Sequence, residues 1–346
     1  MAGIFLQQCL ISWFYVALPI PCARSYHIVR SLQLEGSPVN DFGFLQWNLH
    51  AECFLPCSGT EVSGHCDREY PRCLNGATAQ VKQFLDAPGK DAIDFAGIEQ
   101  FVNADFLTSG YDNQSWDQIT KNCGGTKGYG AYPFDSATLF YRKTRWEVKQ
   151  LNGTPAAPIS GCMETLDGEN ASNYRAFIAN AFREKTSGFE VVVAVAHYPH
   201  EGPYTSEISM LRDALADLMN RTQTSQLVVI ADTNQGSRDS KLVMEDVYPK
   251  VDSVLSTELH ATCCYPIYKH LYDRILLGDF PEGQTLRTIL PFKDASQHQI
   301  PQWVGLNMHD PVLGYSSGSP AGDRSGTNEW GAVGLSAVAS LAITML

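Results

Sequence analysis

An α/β sandwich, with strands inside and helices on its outer faces, is the fold class that three features of the sequence predict. Short apolar runs rich in Val, Ile, Phe and Leu recur along the chain, and stretches with three-and-four apolar spacing stand between some of them. With 346 residues and 44% hydrophobic content, the chain can bury the core that such a fold requires. Four of the runs stop at one polar residue: FGFLQW at Asn48, IDFAGI at Glu99, VVVAVA at His197 and LVVIA at Asp232. Buried strands that each release a polar side chain at the same end build a polar cluster on one rim.

The elements follow in order. The first strand ends at Asn48, and a stretch carrying Cys53, Cys57, Cys66 and Cys73 comes after it, read as an insertion over 53–73. Ala77 to Leu85 places Val81, Phe84 and Leu85 on one helical face before the strand that ends at Glu99. Gly110 to Tyr132, rich in Gly, Asn and Lys, reads as a surface loop, and Ala137 to Tyr141 as a strand. A Pro- and Gly-rich stretch from Asn152 to Asn173 interrupts the pattern, and Phe189 to Ala196 resumes it. From Ser206 the apolar residues Ile208, Leu211, Leu215, Leu218 and Met219 give a helix that Thr205 or Ser206 can cap. The strand to Asp232 follows, and DRILL from Asp273 and PVLGY from Pro311 complete the set, in one domain over 40–314.

Both ends suggest export. Residues 1–23 form an apolar stretch closed by Pro21 and small residues, the layout of a secretory signal, although its start carries no Lys or Arg. Removing that segment leaves eight of the ten cysteines, an even number that suits disulfides, with a zinc site as the alternative for the crowded four. Sequons at Asn113, Asn152, Asn170 and Asn220 agree with export. Over 316–346, small residues, a polar spacer and an apolar tail succeed one another, as in a glycolipid (GPI) anchor signal with attachment near Ser316 to Ser319; a membrane-spanning tail is the alternative. The net charge of −12 supplies no global field for a polyanion, so any nucleic-acid contact must be local.

Taken together, QWNLH, GIEQ, VAHYP, ADTN, YDRIL and HDPV resemble, in order, the motifs of the endonuclease/exonuclease/phosphatase superfamily, over about Phe42 to Val312. YDRIL running into LLG, the helix opening at Glu207-Ile208 and the exported context are most similar to the secreted deoxyribonuclease I branch. The resemblance implies a four-layered α/β sandwich, two packed sheets flanked by helices, and a metal-assisted phosphodiesterase. It makes Glu99 a metal ligand with Asn48 beside it, for Mg²⁺ or alternatively Ca²⁺ or Mn²⁺. It gives Asp232 the attacking water and Asn234 the phosphate. His197 with Asp135 and His309 with Asp273 become two acid–base couples, whose division of labour stays open. Arg175 is placed as a phosphate contact.

Two departures stand out. Where the motif carries an acid before its last His, this chain has Met308, a soft thioether and a poor ligand for a hard cation; Asp310 is the candidate substitute. Gln100, Phe101, Val102 and Asn103 follow Glu99 where the deoxyribonuclease branch offers a DNA-contacting Arg. Three functions follow as expectations: a secreted or lipid-tethered nuclease acting on extracellular nucleic acid, a sphingomyelin-type phospholipid phosphodiesterase of the same fold, or a surface binding protein weakened in catalysis by Met308. Replacing Met308 by Asp is expected to raise the rate of phosphodiester cleavage; an equal or lower rate in a folded variant would show that the departure is compensated elsewhere.

Overall fold

The computed structural model describes residues 41–49, 78–89, 92–100, 114–124, 134–166, 172–199, 206–263, 270–291 and 309–318. All belong to the unit spanning Ser37–Leu346. The 53–73 insertion, the segment 1–23, Met308 and most of 316–346 lie outside them.

Two mixed sheets form the centre. In the first, β1 (Phe42–Asn48) lies between β15 (Val312–Gly318) and β2 (Phe95–Glu99); β14 (Gln284–Ile289) lies beyond β15, and β4 (Phe134–Arg142) and β3 (Trp116–Gly124) lie beyond β2. In the second, β10 (Glu190–His197) and β11 (Leu227–Asp232) are central and parallel. β13 (Asp273–Gly278) and β12 (Val254–Ser256) flank one side. On the other side, β9 (Ser172–Glu184) carries both β5 (Trp146–Val148) and β8 (Ile159–Leu166). A hairpin of β6 (Gln150–Leu151) and β7 (Thr154–Pro155) turns through Asn152 and Gly153, both at positive φ.

Alternation along each strand divides the core into layers. Phe42, Phe44, Phe95, Val193, Val195, Val228, Ile230 and Ile275 fill the space between the sheets. The opposite row of the second sheet, Val192, Ala194, Ala196, Leu227 and Val229, packs under helix α2 (Glu207–Thr222) through Ile208, Leu211, Leu215 and Leu218. The outer row of the first sheet, Leu45, Trp47, Ala96 and Ile98, is covered by Val81, Phe84 and Leu85 of helix α1 over 78–85. Helix, sheet, sheet, helix is therefore the observed order, the four-layered sandwich expected.

Several local expectations need correction. The segment 110–132 contains edge strand β3, where the buried Trp116 and Cys123 stand on opposite faces at the two ends and the residues between are exposed or half-buried and mostly polar, so its composition imitates a loop. The 152–173 stretch likewise contains β8 and the start of β9. Asp135 lies inside β4, not before it. Ser206 occupies the N-cap of α2 without a side-chain capping bond. A short helix α3 (Ser240–Glu245), capped by the Asp239 side chain, was not anticipated. β15 runs to Gly318, past the expected limit at 314, and Ser316 is buried there accepting from Gln284, so attachment at Ser316 would require its removal from the sheet.

A disulfide joins Cys123 of β3 to Cys162 of β8 and thus bridges the two sheets. At the opposite rim from the polar strand ends, a second brace crosses. Arg145 donates to Asp94 at 2.9 Å and to Glu184 at 2.8 Å, and Trp146 donates to Asp94 at 3.2 Å. Between these braces the sheets approach closely at Gly97, where a Cβ would stand 2.5 Å from Ile230 and 2.9 Å from Val195. Gly97→Ala is expected to destabilise the fold by about 1–3 kcal/mol, the usual cost of overpacking, measured by denaturant unfolding; an unchanged midpoint would mean the sheets separate freely.

Candidate active site

The polar strand ends continue the inner rows. On β1 the inward residues are Phe42, Phe44, Gln46 and Asn48; on β2 they are Phe95, Gly97 and Glu99. Parallel pairing puts Asn48 opposite Glu99. In the facing sheet, His197 pairs with Asp232 and Asp232 with Asp273, so three functional groups share one row across β10, β11 and β13. Asp135 extends the inner row of β4. A period of two thus carries apolar side chains into the core and polar ones to the same rim.

Two histidines face each other across this rim. His197 Nδ1 lies 2.9 Å from Asp135 Oδ1, while the other carboxylate oxygen accepts the Ala176 N–H at 2.7 Å. His309 Nδ1 lies 2.8 Å from Asp273 Oδ2. Both rings turn Nε2 toward Asp232 Oδ2, at 3.5 Å for His197 and 3.7 Å for His309. That oxygen also accepts the Asn48 amide at 2.8 Å. His309 is placed through its backbone: its carbonyl accepts from Trp47 Nε1 at 3.2 Å, and it pairs with Cys263.

Burial makes the electrostatics decisive. Glu99, Asp135, Asp232 and Asp273 are all buried, and among the described residues no Lys or Arg pairs with any of them. Loss of water pushes Glu99 well above the ordinary carboxylate range, and the charges of Asp232, Asp273 and Asp135 push the same way. For Asp232, burial also acts upward, but His309, His197 and the donors Asn48 and Asn234 outweigh it and hold the group below its ordinary value. Burial disfavours charge on His309, yet Asp273 and then Asp232 overcome it and raise the ring to about 9. His309 therefore stands protonated at neutral pH.

The remaining expected residues differ in placement. Asn234 follows Asp232 at φ 48°, donates its N–H to Asp232 Oδ1 and its side-chain amide to the Tyr198 carbonyl at 2.8 Å, which fixes the turn beyond β11. Asp310 is buried, donates its N–H to the Thr262 carbonyl at 2.9 Å, and adds to the field on His309. Arg175 is not brought into the cluster. Its neighbours Ala176 and Phe177 belong to the inner and outer rows, so it leaves β9 on the face opposite His197, paired with Met163. Its Nε is buried without a hydrogen-bond partner among the described residues.

Sequence reasoning missed two groups. Gln46 donates to Glu99 Oε2 at 3.2 Å and to Asp273 Oδ1 at 2.7 Å, and its inner-row parity with Asn48 was the available signal. Arg274, fully buried, reaches the carbonyls of Leu271, Gln235 and Ser237 and so fastens the loop beyond Asn234; an Arg in an otherwise apolar strand gave no hint of that target.

One ligand atom each from Asp232, Asp273 and His309 lies within 4.8 Å of the others, a possible cation site. Within this group, however, Asp232 Oδ2 already meets His309 Nε2 and the Asn48 amide, and Asp273 Oδ2 meets His309 Nδ1. Glu99 is the better first ligand, because its Oε1 is buried and has no hydrogen-bond partner among the described residues. A hard oxygen donor in a group of uncompensated carboxylates fits Mg²⁺, Mn²⁺ or Ca²⁺.

Comparison with solved structures gives the same architecture. An endonuclease/exonuclease/phosphatase from Bacteroides vulgatus aligns with a TM-score of 0.52 at 15% identity, covering 81% of this chain and 100% of the other. The fold is that of endonuclease/exonuclease/phosphatase proteins. The catalytic domain of human Nocturnin, solved with a bound sulfate anion, aligns at 0.51 and 15% identity over 82% of this chain and 96% of its own. A mannosyl-6-phosphatase of Bacteroides thetaiotaomicron aligns at 0.50 and 13% over 80% and 99%. Neither a protein-family model nor a curated protein sequence matches the chain. At these identities the endonuclease/exonuclease/phosphatase likeness is one of fold.

Because the folded state raises His309 from 6.5 to about 9, the charged ring stabilises the fold. That contribution is complete below about pH 6.5 and is lost as pH rises through about 9. In chelator, unfolding free energy is expected to fall over this window by on the order of 2–4 kcal/mol, and His309→Gln to flatten the fall. A wild-type profile parallel to that of the variant would contradict the assignment.

Proposed function

We propose that this chain is a secreted or surface-tethered, divalent-cation-dependent phosphodiesterase that cleaves extracellular nucleic acid in the manner of deoxyribonuclease I-like proteins. One observation carries the reading. Two imidazoles, each held at Nδ1 by its own carboxylate, direct Nε2 at the same Asp232 oxygen beside a buried Glu99 that has no cationic partner among the described residues.

Hydrolysis of a phosphate diester requires an activated water, compensation of the anion and a proton for the leaving oxygen. Asp232, kept ionised and fixed by Asn48, orients the water and receives its proton. His309, protonated between Asp273 and Asp232, offers an N–H to the phosphate or the leaving oxygen. His197, aligned by Asp135, stands on the other side of Asp232 to complete proton transfer. Glu99 and Asn48, with Asp310 as a further oxygen donor, would hold the cation, which when bound neutralises charge on the phosphate. Asn234 secures the turn that presents Asp232 and is the residue that would touch the phosphate.

The relatives of this fold include a protein named a mannosyl-6-phosphatase and one solved with sulfate, a tetrahedral oxyanion, which supports phosphate-ester chemistry. Nucleic acid is preferred as the substrate because the ordered motifs are most similar to the deoxyribonuclease I branch. Export is supported by the apolar segment 1–23, the disulfide between Cys123 and Cys162, and the exposed sequon residues Asn152 and Asn220. Tethering rests on the tail over 316–346.

The purified protein is expected to nick plasmid DNA with Mg²⁺ or Mn²⁺ and to stop when a chelator is added. Asp232→Asn and His197→Ala should each lower kcat by about 10²–10⁴-fold with KM little changed. Hydrolysis of sphingomyelin vesicles in place of plasmid would move the assignment to a lipid substrate, and inactivity on both would refute the catalytic reading.

A further inference from the structure

Three buried acceptor atoms at this rim, on Gln46, Glu99 and Gln100, have no hydrogen-bond partner among the described residues, and the first two belong to side chains bonded to each other. Glu99 Oε1 and Gln46 Oε1 are both buried and unsatisfied, while the other terminal atoms of the two residues are bonded to each other at 3.2 Å. Gln46 is fully buried, and its Nε2 also reaches Asp273 at 2.7 Å. The amide therefore stands between two carboxylates of the cluster, with its oxygen left over. An unpaired buried carbonyl-type oxygen costs about 1–3 kcal/mol, and two together mark a place where something positive or hydrogen-donating belongs.

We propose that Gln46, through Oε1, is a ligand of the divalent cation together with Glu99. This rests on the cation-dependent reading above and adds to it a residue to which the ordered motifs give no role. An amide oxygen is a hard neutral donor of the kind that Mg²⁺ and Ca²⁺ accept. It also meets a need particular to this chain. The position before His309 where an acid is expected holds Met308, whose sulfur is a poor partner for such ions. Gln46 adds an oxygen without a further negative charge, in a place where Glu99 already meets the fields of Asp232, Asp273 and Asp135. Its Nε2–H groups meanwhile separate Glu99 from Asp273, so one amide serves both signs: hydrogens toward the carboxylates, oxygen toward the cation.

Cation binding, measured without substrate, tests this. Titration calorimetry with MgCl₂ and MnCl₂ should show one site in the wild type, lost in Glu99→Gln. Gln46→Leu, which keeps the volume and removes the oxygen, should weaken binding roughly tenfold or more. Gln46→Glu is the discriminating variant. A ligand role predicts a lower melting temperature than wild type in chelator, because a further carboxylate enters the cluster, and a larger rise on adding Mn²⁺. If Gln46 serves only as a hydrogen-bond donor to Glu99 and Asp273, the variant loses stability in both conditions and gains nothing extra from the ion. In the unaltered protein, Mg²⁺ should shift the side-chain amide resonances of Gln46, an observation independent of whether either variant folds. Wild-type cation binding with unshifted Gln46 resonances, or with undiminished affinity in folded Gln46→Leu, would overturn the ligand role and leave the phosphodiesterase reading standing, with a bound water as the partner of Oε1. No cation binding by the wild type would overturn both.

Discussion

A strand packed between two layers must send every second side chain into the gap between the sheets, and that alternation governs both the stability and the chemistry of this protein. The same rows that deliver Phe42, Phe44, Val193, Val195, Val228 and Ile230 to the inter-sheet core deliver Gln46, His197 and Asp232 one step further on, and Asn48 one step beyond Gln46. Parallel pairing of β1 with β2 and of β10 with β11 makes these rows end at the same level. A one-residue slip in any of the strands would turn its polar terminus out of the site and its apolar row out of the core, so fold and site share one register. Gly97 sets how near the two halves come, and the Arg145 and Cys123–Cys162 braces hold them across two rims.

The two ends of the sandwich treat buried acid differently. At one end Asp94 is buried but satisfied from within, by Arg145, by the indole of Trp146 and by the Gly43 N–H. At the other, Glu99, Asp135, Asp232 and Asp273 gather around two imidazoles, and among the described residues no Lys or Arg pairs with any of the four. Stability alone would not favour that arrangement, since unpaired buried charge costs several kcal/mol. The positive φ of Gln100 and Asn234, just beyond Glu99 and Asp232, places backbone strain at the same rim. Such an arrangement suits the cation and the anionic ligand that the proposed function requires.

Much of this was legible in the sequence. The four polar-terminated runs are buried strands, the spacing after Ser206 is a helix, and the ordered motifs lead to the observed fold. What stayed hidden has physical causes. β3 and β8 lie at the sheet edges, where few positions are fully buried and hydrophobic alternation fades into loop-like composition. Arg175 was assigned by motif position, but a single-residue parity puts it on the helix-facing side of β9, and parity is fixed only once the register is known. Gln46 was passed over because a lone Gln within FGFLQW resembles an incidental polar residue; only the facing strand shows that it lies between Glu99 and Asp273. The pairing of Cys123 with Cys162, 39 residues apart, depends on sheets meeting face to face, which no spacing rule encodes.

The central claim is that the polar ends of the inner rows enclose one cation next to Glu99. Crystals soaked in MnCl₂ and measured at a wavelength where manganese scatters anomalously test it without substrate or mutation. The account predicts the strongest anomalous peak within coordination distance of the Glu99 carboxylate, on the side facing His197 and His309. Fully occupied manganese elsewhere, with none beside Glu99, would contradict it.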